Sequence, residues 1–276
     1  MSPELKGFCH PFTPGGRSQL VGPPPWHFSV EQMVIDYEAD EDLVTQYIPR
    51  PLGPSANMPA GCAVRITAMT SVSDGESEMI AINPERSIFN EAIVYTNCSY
   101  QGTEGQKIAY MWVDNDFTLF RGWLMGTPKK LGRIKTNFER RHVYGLNPGL
   151  QEFGTGTKLR GWTEAHGERL LDAGMTLTRR VEPQELPASL KREIYNIVYV
   201  PNIEIGATKP LAHRLVTVVA EAKLHEMWEG TDVKLVFGES ETEDHTDIAP
   251  RRIKSACFMT LSLTIRGNKL LYDYNQ

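Results

Sequence analysis

The chain has 276 residues, of which 41% are hydrophobic and 23% charged, a composition typical of a folded globular protein and not of a disordered chain. Its formal net charge of −5 argues against a nucleic-acid partner, because such a partner requires a basic surface that displaces counterions from phosphates. No apolar run approaches the roughly 18 residues of a membrane span, and the N-terminus lacks the apolar segment of a signal peptide. We therefore expect a cytoplasmic protein with no membrane partner.

The first quarter of the chain combines an irregular start with two strand patterns. Residues 1–25 are rich in proline and glycine, which predicts an N-terminal arm without regular structure. A strand pattern follows at residues 31–37. Asp40 then opens a short helix whose acidic first turn suits the helix dipole, and Pro49 ends it. Mixed apolar and polar residues at 63–72 indicate a further strand.

Two segments in the next part of the chain predict a β-hairpin. Residues 88–100 and 107–113 are rich in β-branched and aromatic side chains, and the glycine-containing segment 101–106 lies between them. After this hairpin, residues 117–125 are apolar except for Arg121 and Gly122. This apolar run leads directly into the sequence GTPKKLG.

Strand patterns dominate the remainder of the chain. They recur at residues 158–165, 175–181, 193–200, 215–222, 234–237, 254–265 and 269–274, with a turn expected at Gly267-Asn268. Strands at this spacing, with few helical segments, predict an α+β fold with a mostly antiparallel sheet. No repeat or low-complexity linker marks a second domain, so residues 26–276 are expected to form a single domain.

Common signatures of phosphate, serine and metal chemistry are missing from the sequence. The segment Gly154-Thr155-Gly156 has neither the third glycine of a dinucleotide fingerprint nor the ending of a P-loop. The chain contains no Gly-x-Ser-x-Gly elbow and no His-Glu-x-x-His zinc helix. Its four cysteines form no Cys-x-x-Cys pair, which favours buried reduced thiols. We therefore predict no metal site.

The adjacent residues Lys129 and Lys130 are the best candidates for catalysis. An ordinary lysine amine, with a pKa of about 10.4, is protonated at neutral pH and cannot attack a carbonyl. Burial disfavours the charged amine, and a neighbouring cation disfavours it further. The apolar run and Pro128 before the pair suggest burial of Lys129, with Lys130 as the neighbouring cation. On composition alone, a solvated surface pair explains the same two residues.

In its order of motifs the sequence resembles the acetoacetate decarboxylase family, whose reactive lysine lies in a Pro-Lys-Lys motif. TPKKLG at 127–132 matches that motif, and YQGTEGQKIAYMWVDND at 100–116 matches the segment before it. IFNEAIVY at 88–95 matches the strand that carries the family's glutamate. HEMWEG at 225–230 and LLYDYNQ at 270–276 resemble the downstream motifs. The resemblance covers residues 23–274, nearly the whole chain.

Three departures from the family pattern accompany this resemblance. The family's first-strand arginine falls near Val30, and residues 19–49 contain no arginine at all. Its second glutamate falls at Thr67, and the Gly-Arg-Glu before the lysine motif becomes Arg121-Gly122-Trp123. The lost groups would bind a substrate carboxylate and assist proton transfers.

The resemblance implies roles for four residues. Lys129 is the Schiff-base nucleophile, and Glu91 is the acid-base group. Lys130 has an electrostatic role, or else points away from Lys129 and pairs with a carboxylate. Arg121 replaces the lost arginine in binding the substrate carboxylate. No cofactor is required, because the lysine imine itself accepts the electrons.

The same resemblance implies a cone-like or barrel-like antiparallel sheet around a buried pocket, flanked by small sheets and helices, in a homo-oligomer. The expected function is a carbon–carbon lyase acting on a small-molecule keto acid, with decarboxylation of a β-keto acid as the first hypothesis. The second hypothesis is an aldolase or dehydratase that uses the same lysine imine. A third is a binding module for small carbonyl compounds that no longer catalyses a reaction.

Overall fold

The computed structural model of the chain describes residues 4–138, 153–182 and 192–276. The described residues include three α-helices, α1 (Glu41–Gln46), α2 (Met79–Ile82) and α3 (Asp116–Met125). They also include twelve strands: β1 (Trp26–Glu38), β2 (Gly53–Pro54), β3 (Gly61–Ser73), β4 (Ile88–Tyr100), β5 (Thr103–Val113), β6 (Lys129–Leu131), β7 (Arg133–Thr136), β8 (Lys158–Ala165), β9 (Glu168–Arg180), β10 (Glu193–Val200), β11 (Ala212–Phe237) and β12 (Arg252–Asp273).

Seven of these strands close into a ring. The hydrogen-bonded order is β10-β5-β4-β3-β1-β12-β11, and β10 pairs with β11 to complete it. Within the ring, β10 runs parallel to β5, and the other neighbours are antiparallel. Strands β9, β8 and β7 continue the sheet beyond β11. A closed, mostly antiparallel sheet with only three short α-helices among the described residues confirms the predicted α+β class and its barrel-like form.

Three ring strands, β1, β3 and β4, bury both of their faces, as β1 illustrates. Successive side chains of a strand point to opposite faces of the sheet. Phe28 and Val30 therefore face the interior of the ring, where they line a cavity. Met33 and Ile35 face outward and join the large core that also contains residues of β7, β8 and β9. The extended strands outside the ring thus cover its outer face, while the inner face encloses the cavity.

Helix α3 connects the ring strand β5 to the short strand β6. It ends at Gly126, whose backbone is left-handed with φ +78°, and the Gly126 amide donates to the Trp123 carbonyl at 3.1 Å. This turn sends the chain back along β5, with Lys129 opposite Met111 in a parallel pairing. Lys129 consequently lies between the helix and the inner face of the ring.

The last two long strands differ from the sequence-based prediction. Segments 215–222 and 234–237, expected as separate strands, both belong to the continuous strand β11. The turn expected at Gly267-Asn268 is wrong, because both residues lie within β12. Gly267 has φ +138°, and the β11–β12 register shifts between Val219 and Ala220, which lie opposite this region. A glycine suits a β-bulge as well as a turn, so sequence alone does not separate the two.

The N-terminal arm packs against one end of the ring. Val21 is buried, and the Trp26 indole donates to the Gly22 carbonyl at 2.9 Å. Gln19 donates to Glu76 at 2.9 Å from its side-chain amide. Residues 4–25 contain an isolated bridge between Lys6 and Thr13, and the division into an arm and one domain stays a prediction.

No helix in the described ranges is both long enough and apolar enough to cross a membrane.

We predict that Gly126→Ala destabilises the fold. A Cβ atom at residue 126 would lie 2.6 Å from the Val198 backbone nitrogen, and the positive φ disfavours any residue with a side chain. The free energy of unfolding, measured by urea denaturation, should fall by at least about 1 kcal/mol. Gly75→Ala is the control, because nothing lies within 4 Å of its new Cβ. Equal stability of the two variants would contradict this account of the turn.

Candidate active site

A cavity of about 460 Å³ fills the interior of the ring. Most of its lining is apolar, and the apolar side chains come from β1, β3, β4, β5, β11 and β12. Its polar lining includes Gln32, Arg65, Glu91, Arg121 and Lys129. An apolar cavity of this size with a few converging polar groups is typical of a small-molecule site.

Lys129 and Glu91 form a buried pair on the cavity wall. Their side chains are 6% and 5% exposed, and the Lys129 ammonium contacts Glu91 Oε1 directly. Thr118 on α3 completes the group, since its hydroxyl accepts from Lys129 Nζ at 2.7 Å and donates to Glu91 Oε1 at 3.1 Å. The amine therefore has a carboxylate and a hydroxyl within hydrogen-bonding distance. Thr118 was not among the residues that sequence reasoning selected.

The environment of Lys129 lowers the pKa of its amine to about 8. Burial is the largest cause, because the cavity removes water that would stabilise the charged amine. The Glu91 carboxylate opposes this shift, while the nearby Arg121 guanidinium adds to it. At neutral pH a useful fraction of the amine is consequently unprotonated and able to attack a carbonyl.

Gly122 allows Lys129 to lie against helix α3. A Cβ atom on this glycine would come within 2.3 Å of Lys129 Cδ and 2.5 Å of Thr127 Oγ1. Any side chain at residue 122 would therefore displace the lysine. The sequence named Gly122 as an interruption of an apolar run and as part of the altered Gly-Arg-Glu motif, but assigned it no role. Once residues 116–125 are known to form helix α3, the position of Gly122 near the end of that helix, just before the segment that contains Lys129, indicates a close contact with the lysine.

Arg121 brings a second positive charge to the cavity. It is 3% exposed, and its Nη1 donates to Ser71 Oγ at 2.9 Å. Four aromatic rings lie around its guanidinium at centroid distances of 4.7 to 5.8 Å: Trp26, Phe28, Phe89 and Phe117. Burial lowers the pKa of this guanidinium to about 10.

The Arg121 guanidinium is not neutralised by a close acid. Among the described residues no carboxylate forms an ion pair with it within 4.0 Å, and its buried Nη2 has no hydrogen-bond partner. A buried charge without a counter-ion is costly. Bidentate pairing with a carboxylate would satisfy both its charge and its free donors.

Lys130 lies on the opposite face of β6 from Lys129. Its ammonium pairs with Glu243, and it lies 5.9 Å from the centre of the Tyr110 ring. Adjacent residues of a strand point to opposite faces, so the two amines cannot converge. The sequence left two alternatives for Lys130, an electrostatic effect on Lys129 or a pairing with a carboxylate away from it. The structure shows the pairing with a carboxylate. The cation that acts on Lys129 is Arg121.

The positions of two expected family groups also lie on the cavity wall. Val30 on β1 and Thr67 on β3 both line the cavity and are almost fully buried. The Thr67 hydroxyl donates to the Glu91 backbone carbonyl at 3.4 Å. Neither residue can supply a charge to a substrate.

In the described ranges no group of three or more His, Cys, Asp or Glu side chains is arranged to hold a metal ion.

Comparison with known structures shows several similar proteins, among them the following. The enduracididine biosynthesis enzyme MppR, solved with pyruvate and with the condensation product of pyruvate and imidazole 4-carboxaldehyde, is 27% identical. In the condensation-product complex the match covers 99% of each chain, with a TM-score of 0.84. An acetoacetate decarboxylase-like enzyme from Sphingomonas wittichii RW1 is 24% identical over 97% of this chain and 99% of its own, with a TM-score of 0.85.

The acetoacetate decarboxylase of Legionella pneumophila has the same fold at 19% identity. That match covers 94% of this chain and 91% of the other, with a TM-score of 0.75. No curated protein matches the sequence. The family model described as acetoacetate decarboxylase matches residues 9–275. This chain therefore belongs to the acetoacetate decarboxylase family.

Proposed function

We propose that the protein forms an imine between Lys129 and a 2-keto acid of the pyruvate class and uses it for aldol-type carbon–carbon bond chemistry. The observation that carries this proposal is the group of Lys129, Glu91 and Arg121 in one cavity. It combines an amine of lowered pKa, a carboxylate in contact with it, and a buried guanidinium with no close counter-ion.

The first steps follow from the surroundings of the amine. Neutral Lys129 attacks the keto carbon, and the tetrahedral adduct loses its oxygen as water to give a protonated imine. Glu91 contacts the amine, so it is placed to take the proton of the Lys129 ammonium before the attack. After the attack, one amine proton moves to the oxyanion, and Glu91 then gives its own proton to the resulting hydroxyl, which leaves as water. The iminium then accepts the electron pair released when Glu91 removes a proton from the neighbouring carbon. The product is an enamine nucleophile, which can attack an aldehyde.

Arg121 is proposed to hold the carboxylate of the keto acid. The Arg121 guanidinium and Lys129 Nζ lie 5.3 and 5.8 Å from the centre of the same Phe89 ring, which suits a substrate whose carboxylate lies close to the carbon that Lys129 attacks. Holding this group fixes the orientation of the carbonyl relative to the amine. It also supplies the counter-ion that Arg121 lacks among the described residues.

Two further observations favour aldol-type chemistry over decarboxylation. The MppR structures, with pyruvate and with a condensation product of pyruvate and an aldehyde, are of a protein 27% identical to this chain. Aldol chemistry also needs space for a second carbonyl compound. The cavity of about 460 Å³ lies within the size range of sites for much larger ligands than pyruvate.

Decarboxylation of a β-keto acid is the second candidate, and the family match supports it. The same iminium would accept the electron pair of the breaking carbon–carbon bond, with carbon dioxide as the leaving group. Val30 and Thr67, at the positions of the family's arginine and second glutamate, supply neither charge.

We predict that borohydride traps pyruvate on Lys129. Reduction of the imine should add one reduced pyruvate to the peptide that contains Lys129, detected by peptide mass spectrometry. Lys129→Ala should abolish this labelling, because no other amine among the described residues contacts Glu91 in this way. Lys130→Ala should label like the wild type, since its side chain pairs with Glu243 on the opposite face of the strand.

The products of the unreduced reaction separate the candidate activities. With pyruvate and an aldehyde, an aldol or dehydrated adduct detected by mass spectrometry would support the proposed function. Carbon dioxide release from acetoacetate without any aldol product would favour the decarboxylase instead. Labelling of Lys129 without turnover of either substrate would indicate a binding module. Labelling that persists in Lys129→Ala would contradict imine formation at this residue.

We also predict a pH dependence set by the Lys129 amine. Its trace labelling by acetic anhydride, followed by mass spectrometry, should rise with pH with a midpoint of about 8. Arg121→Met removes a cation that lowers this pKa, so the midpoint should move to higher pH. The exposed Arg252 provides the matched control, and Arg252→Met should leave the midpoint in place. A midpoint that does not move in Arg121→Met would show that Arg121 does not contribute to the lowered pKa of Lys129.

A further inference from the structure

Arg65 is, with Arg192, one of two further arginines on the wall of the same cavity. It projects from β3 on the face that also carries Thr67 and Met69. Its Nη2 donates to Gln106 Oε1 at 2.9 Å, and its guanidinium lies 4.4 Å from the centre of the Tyr95 ring. These two contacts hold the guanidinium in place before any ligand arrives.

No close carboxylate neutralises Arg65. In the described ranges it forms no ion pair within 4.0 Å, and its buried Nε has no hydrogen-bond partner. Asp36 occupies a diagonal position on the neighbouring strand β1. Its carboxylate accepts from Ser255 Oγ at 2.8 Å. Because Arg65 has no ion pair within 4.0 Å among the described residues, its guanidinium can pair with an anion in the cavity.

Gln32 adds unpaired hydrogen-bonding groups beside Arg65. It lies opposite Thr67 on β1, which places it diagonally from Arg65 on the same face of the sheet. Gln32 is only 6% exposed and lines the cavity, yet its amide has no hydrogen-bond partner among the described residues. A buried amide that faces a cavity is costly unless a ligand or water satisfies it.

The register of the strands places the reacting lysine between Arg65 and Arg121. Arg121 donates to Ser71, near one end of β3. Further along β3, Thr67 lies opposite Glu91 of β4, and Glu91 forms the ion pair with Lys129. Ser71 and Arg65 are separated by about 20 Å of extended backbone. The cavity thus has a guanidinium on each side of the amine.

We propose that Arg65 and Gln32 form a second carboxylate-binding position, so that the site takes molecules with a carboxylate at each end. In the reaction proposed above, the second carboxylate belongs to the aldehyde, and the aldol product is a dicarboxylic keto acid. This inference rests on the proposed function for the placement of the first carboxylate at Arg121. It adds the chemical class of the second substrate.

The test compares the binding of linear dicarboxylates, from succinate to suberate, with monocarboxylates of matched length. Calorimetry with the full chain gives each dissociation constant. The best dicarboxylate should bind roughly tenfold or more tightly than its monocarboxylate, because it gains a charged hydrogen bond. Arg65→Met should remove this difference, and Arg65→Lys should keep part of it. The matched control Arg252→Met, at an exposed arginine, should leave the difference unchanged.

Two outcomes would overturn the second position. One is equal binding of dicarboxylates and monocarboxylates by the wild type. The other is a dicarboxylate preference that persists in an Arg65→Met protein whose unfolding midpoint matches the wild type. Failure of the proposed function is a separate result, because it would appear as absent pyruvate labelling of Lys129. The binding comparison does not require imine formation.

Discussion

The candidate site depends on the burial of one lysine amine inside a closed ring of strands. Lys129 reaches the cavity because α3 ends in a left-handed turn at Gly126 and because Gly122 leaves room for its side chain. Burial, more than any neighbouring charge, lowers the pKa of the amine. Glu91 pairs with the Lys129 ammonium, so the ammonium is not a lone buried charge. The same pairing opposes the lowering of the lysine pKa. The ring therefore supplies the low-dielectric environment that nucleophilic chemistry at this lysine requires.

Charge is arranged in the site by strand geometry and not by adjacency in sequence. Lys130 is next to Lys129 in the chain but points to the other face, where Glu243 pairs with it. Arg121, eight residues before Lys129 in the sequence, approaches through helix α3 and affects the amine. Arg121 and Arg65 both face the cavity without a close acidic partner among the described residues. A site built this way is suited to small anions with a carbonyl group.

The sequence predicted the fold class and most strands, because alternating and β-branched residues indicate strands and their burial. It predicted the family through a resemblance in the order of its motifs, TPKKLG at 127–132 above all. It also selected Lys129, Glu91 and Arg121, which the structure brings into one cavity. It did not assign an element to residues 117–125, since a short apolar run fits a buried helix or a strand equally well. Without that helix, the roles of Thr118 and Gly122 were not visible. Gln32 and Arg65 depend on the register of β1 and β3, which no local pattern specifies.

The most direct test is a crystal structure of the protein soaked with pyruvate and reduced with borohydride. Imine formation at Lys129, with Arg121 as the partner of the carboxylate, predicts continuous electron density from Lys129 Nζ to the former keto carbon of pyruvate. It also predicts the pyruvate carboxylate within about 3 Å of the Arg121 guanidinium, with Glu91 beside the new bond. Pyruvate attached to another amine, or a carboxylate turned away from Arg121, would contradict the central claim. The first result would remove Lys129 as the nucleophile, and the second would remove Arg121 as the group that orients the substrate.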